Sequence, residues 1–76
     1  MWFEIYLEGR SGMITRRLEK HYKSAGQAIR SANLMLDKQA INHSTGDVLW
    51  VHVTVMAVTT DSDGFESRLV VYTRRI

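Results

Sequence analysis

Seventy-six residues and about 8.8 kDa allow one small domain, which buries only about 60% of its unfolded surface. With no cysteine, neither a disulfide nor a thiolate zinc site can staple the core, and 45% hydrophobic with 24% charged residues is wrong for a disordered chain. Ten Lys and Arg against eight Asp and Glu leave a net charge of +2, slight for a committed nucleic-acid binder. No apolar run approaches the ~20 residues of a membrane span. Met1-Trp2-Phe3-Glu4 lacks the basic flank and apolar stretch of a signal peptide, so a cytoplasmic location is expected.

In chain order, the first segment alternates. Phe3, Ile5 and Leu7 face one way and Trp2, Glu4, Tyr6 and Glu8 the other, which predicts a strand over 2–8 with one dry side. Gly9-Arg10-Ser11-Gly12 supplies the glycines of a hairpin turn. Residues 13–22 admit two readings. Ile14, Leu18 and Tyr22 are four apart, as on a helix, yet the turn before them and the start signal after them favour an edge strand. That start signal is Ser24 with Gln27 three residues on, a capping box. Ala25, Ala28, Ile29, Ala32, Met35, Leu36 and Ala40 then form an apolar stripe, predicting a helix over 24–40 with Leu34 pointing away.

Residues 42–47 have loop composition. A dense β-branched run predicts a strand over 48–60, with Leu49, Val51, Val53, Val55 and Ala57 toward the helix. Asp61-Ser62-Asp63-Gly64 is a turn, and 65–75 returns with Phe65, Leu69 and Val71 inward. The fold expected is therefore α+β in ββαββ order, a four-stranded antiparallel sheet with one helix on one face, forming a single domain over 1–76. Strands of this length reach about 35–40 Å and the helix about 25 Å. The second hairpin should outrun its helix, by twisting, bulging or projecting as an arm.

Catalysis finds no motif. His21, His43 and His52 have no metal-ligand spacing, and His43, Ser44 and Asp47 share a short loop without the geometry a triad requires. Asp61 to Glu66 is too short, and flanked by strands rather than helices, for a calcium loop. No enzyme activity, cofactor or metal is expected.

The face away from the helix carries the functional expectation. Parity places Trp50 and Tyr72 at its centre, with Tyr6, His52, Met56, Arg68 and Arg74 around them. Trp, Tyr, Met and Arg are the residues that protein interfaces favour, so this face is the expected partner-binding surface for a protein target. The same aromatic and basic mixture is the alternative basis for binding nucleic acid. The helix face bearing Arg30, Leu34 and Lys38 is the fallback site. A long final hairpin with an apolar face also predicts a homodimer.

A strand pair, the helix start Ser24-Ala25-Gly26-Gln27-Ala28-Ile29-Arg30-Ser31-Ala32 and a second strand pair resemble small phage proteins, anti-CRISPR proteins and other inhibitors of host machinery among them. The resemblance implies a non-catalytic protein that works by covering a functional surface of a bacterial macromolecular machine. It carries no functional residues across. The near-neutral charge also sets this chain apart from the acidic members that imitate DNA.

Overall fold

A computed structural model describes residues 1–10, 12–16, 21–39 and 49–76. Along the chain run β1 (Trp2–Gly9), β2 (Ile14–Arg16), α1 (Ala25–Asp37), β3 (Trp50–Thr60) and β4 (Glu66–Arg75). The protein is α+β; the described residues form one helix and an antiparallel sheet ordered β2-β1-β3-β4. Three long strands carry the sheet. β2 is three residues long where a strand over 13–22 was expected, and residues 17–20 of that expectation lie outside the described residues. Beyond them the chain returns to β1 at one bridge, where Phe3 and Tyr22 exchange backbone hydrogen bonds of 2.8 and 3.1 Å.

Local chemistry sets the helix limits. Ser24 is extended, and its hydroxyl accepts from the Gln27 N–H at 3.2 Å, satisfying one of the donors that a helix start leaves open. At the other end the Lys38 N–H closes on the Leu34 carbonyl, ending α1 at Asp37 rather than near 40; Ala40 lies outside the described residues. The Gln39 side chain then acts like a short strand. Its amide donates to the Trp50 carbonyl at 2.7 Å and accepts from the Trp50 N–H at 2.6 Å, holding the start of β3 against the end of α1.

Phe3, Ile5 and Leu7 of β1, Val53, Val55 and Ala57 of β3, and Ala28, Ala32 and Leu36 of α1 make the core. The helix alanines bring its backbone close to the sheet, as the apolar stripe requires. Burying these side chains is the main favourable contribution to the fold, of the order of 25 cal/mol per Å2 of apolar surface.

Two one-residue bulges reset the sheet. Glu8 pairs with His52 but Gly9 with Trp50, which leaves Val51 as an extra residue in β3. Val55 pairs with Tyr72 but Met56 with Val70, which leaves Val71 as an extra residue in β4. A bulge shifts the alternation by one, so every side chain beyond it changes face. The bulge at Val51 is crowded. A side chain at Gly9 would come within 3.2 Å of the Leu49 carbonyl and touch the Trp50 ring, so glycine is the residue that fits there.

The second hairpin outruns the helix, as the lengths require. Thirteen residues of α1 cover about 20 Å, while eleven of β3 reach about 36 Å. The molecule measures 51 × 23 × 20 Å, and its 13.7 Å radius of gyration exceeds the about 11 Å of a compact chain this long. The hairpin turn is held by Asp61, whose carboxylate accepts from the Asp63 and Phe65 N–H groups, with Gly64 at a φ of 86°. No described helix is long and apolar enough to cross a membrane.

Candidate functional site

The bulges divide the seven expected surface residues between two faces. Tyr6, His52, Met56 and Arg68 lie on the face away from α1, where parity placed them: Tyr6 opposes Thr54, and Arg68 opposes Val58. Trp50, Tyr72 and Arg74 lie on the helix side. Trp50 and Tyr72 pack against the core. The Tyr72 hydroxyl donates to Asn33 Oδ1 at 3.0 Å, and Arg74 bonds Asn33 at 3.0 Å and Asp37 at 2.9 Å. Counting by twos from Val53 in β3 and from Leu69 in β4 sends these three residues outward; the extra residues Val51 and Val71 bring them back. Leu49, expected inward, is exposed because it precedes the Val51 bulge.

On the outer face the organising group is Glu4, which is only 2% exposed. One carboxylate oxygen accepts from the Tyr6 hydroxyl at 3.0 Å and from Arg68 Nε at 2.9 Å; the other accepts from Trp2 Nε1 at 3.2 Å and from Arg68 Nη2 at 3.5 Å. Arg68 starts on β4 and ends on β1, so its side chain crosses β3, where Val58 beneath is fully buried. Glu66 takes the remaining reach of the guanidinium at 3.1 Å. The hydrogen bond that Arg68 donates to Glu4, reinforced by the one to Glu66, raises the Arg68 pKa above its ordinary value, so this cation stays charged. His21 stacks on Trp2 with ring centroids 5.0 Å apart, closing one side of the network. At the other end His52 bonds Thr73, and Arg75 bonds Glu8 at 3.2 Å. Between these ends, Tyr6, Glu8, Ile14, His52, Thr54 and Met56 line a cavity of about 170 Å3.

Parity places Glu4 on the face away from the helix and does not by itself show that it is buried. A signal was available: Trp2 and Tyr6, two residues away on either side, share its face and bring hydrogen-bond donors to it. Asn33 and Gln39, which tie α1 to β4 and β3, left no comparable trace.

The fallback surface on the helix is a groove of about 560 Å3, and His21, Tyr22, Lys23, Gln27, Arg30 and Leu34 are among its lining residues. Leu34 is exposed as expected. Among the described residues, no cluster of His, Asp or Glu is placed to hold a metal ion.

What remains is the arm. Phe65 and Leu69 were expected in the core, yet each is 70% exposed, with Val70 at 51% and Val71 at 42%. Leu69 is on the correct face, opposite Ala57, but α1 does not extend over it. Phe65 and Leu69 therefore stand exposed toward the tip of the second hairpin. No protein-family model, curated protein or solved structure matches the chain.

Proposed function

We propose that this chain is a non-catalytic binding protein that covers a surface of a bacterial macromolecular machine, in the manner of the small phage-encoded inhibitors it resembles. The supporting observation is the projecting arm, on which Phe65 and Leu69 lie exposed where a hairpin serving only as scaffold would carry polar residues. Large apolar side chains left exposed on a surface are a mark of partner sites. The outer face contributes less than its composition promised, because Tyr6 and Arg68 are committed to Glu4. The same commitments rank nucleic acid second: Arg68, Arg74 and Arg75 each already pair with a carboxylate, which reduces their attraction for phosphate.

The test is capture of a target from bacterial lysate with the tagged chain, followed by affinity measurement on the isolated pair. Phe65→Asp and Leu69→Asp should each weaken binding at least tenfold, about 1.4 kcal/mol, while circular dichroism stays unchanged. Affinity that instead falls steeply with salt and ignores both substitutions points to phosphate contacts and the nucleic-acid reading.

A further inference from the structure

β4 stands at one end of the sheet order, and among the described residues nothing pairs with its outer edge. Ten residues of open strand edge are a template for another strand. Leu69, Val70 and Val71 follow one another along it, all exposed, a run that strands facing water avoid unless something covers them. Charge is also polarised along the hairpin. Asp61, Asp63 and Glu66 stand toward its tip, Glu66 beside Arg68. Arg74 and Arg75 stand at the opposite end of β4, where a partner's carboxylate would add to their own contacts with Asp37 and Glu8.

We propose that a second copy of this chain covers the edge, β4 against β4, antiparallel about a two-fold axis. Antiparallel pairing sets each acidic tip beside the partner's basic end, whereas a parallel pairing would set like charges together. An axis between Val70 and Val71 places Glu66 opposite the partner's Arg75, Ser67 opposite the partner's Arg74, Arg68 opposite the partner's Thr73 and Leu69 opposite the partner's Tyr72. Every one of these pairs shares a face. Their β3 partners put Glu66, Arg68, Thr73 and Arg75 on the outer face and Ser67, Leu69, Tyr72 and Arg74 on the helix side. In a regular strand the same axis would match residues from opposite faces, because side chains alternate. The extra residue Val71 reverses the alternation midway and makes this register self-consistent. The contact is isologous, as two-fold dimers require, and it joins two four-stranded sheets into one. Edge pairing is made chiefly by backbone groups over residues 66–75 and leaves Phe65 outside the paired span, so the proposal does not rest on the target reading.

Sedimentation equilibrium of the full chain tests it. The expected species at high micromolar concentration has twice the 8.8 kDa chain mass. Glu66→Arg and Arg75→Glu, each checked for folding by circular dichroism, should each weaken the dimer at least tenfold, because each creates two like-charge contacts across the axis. An equimolar mixture of the two variants should dimerise again, since every such contact then joins opposite charges. A wild-type chain that stays at 8.8 kDa overturns the proposal and leaves the edge to a strand of another protein. Dimers indifferent to either substitution, or a mixture that stays monomeric, overturn the register.

Discussion

Arg68 illustrates how one side chain can cross a sheet. Its fork reaches both oxygens of a buried carboxylate two strands away, and that geometry belongs to a planar guanidinium. Lysine offers the charge without the fork. Arg68→Lys should therefore lower the melting temperature by several degrees and expose Trp2, which a red shift in tryptophan emission would register; an unchanged melt would mean that the charge alone suffices. Asp37 supplies a second prediction at this scale. The hydrogen bond from Arg74 holds its carboxyl below the ordinary value of 3.8. A depressed folded pKa contributes stability that is present above the unfolded value and lost as pH falls through the folded one. Asp37→Asn should accordingly melt slightly below the wild type at neutral pH, and the gap should close as the pH drops below about 4. The effect is small because the pair is exposed and screened. A gap that widens in acid would assign the clip to another group.

At the scale of the element, Val71 decides which way half of β4 faces. Because the residue is extra, deleting it leaves a regular strand in which Tyr72 still opposes Val55 and Val70 still opposes Met56. Deleting Thr73 from the regular stretch moves the residues on one side of the gap onto the wrong face, taking either the Tyr72 contact with Asn33 or that of Arg74 with Asp37 out of reach. The Val71 deletion should fold and melt within a few degrees of the wild type, while the Thr73 deletion should be strongly destabilised. Equal losses in the two would show that the bulge contributes twist and not only parity. The helix is simpler. Its start was legible at Ser24, because capping is a local interaction between a side chain and a backbone N–H three residues away. Its end was not, because Gln39 leaves the helix to bond Trp50, a partner eleven residues along the chain.

At the scale of the whole molecule, a short helix on a long hairpin leaves an arm that the core cannot use. One helix of this length can cover only part of an eleven-residue strand, so Phe65 and Leu69 have the right parity for a core that stops short of them. The proposed target contact and the proposed dimer both draw on that surplus, one through the face of the arm and the other through its edge. The consequence is a division of labour along the long axis. Substitutions near Ile5 and Val53 should act on stability, with Ile5→Ala expected to cost about 2–5 kcal/mol, whereas under the proposed function those near Phe65 should act on association.

Residue order alone determined the α+β class, the antiparallel hairpins, the helix start and the dry face of β1, because each depends on side-chain periodicity or on contacts a few residues apart. Even the overhang of the second hairpin followed from counting residues. Tertiary structure decided which face Trp50, Tyr72 and Arg74 occupy, since a bulge is a mismatch between two strands and leaves no period in either. It also made a buried hub of Glu4: a carboxylate on a strand looks solvated until an arginine sixty-four residues away crosses the sheet to meet it.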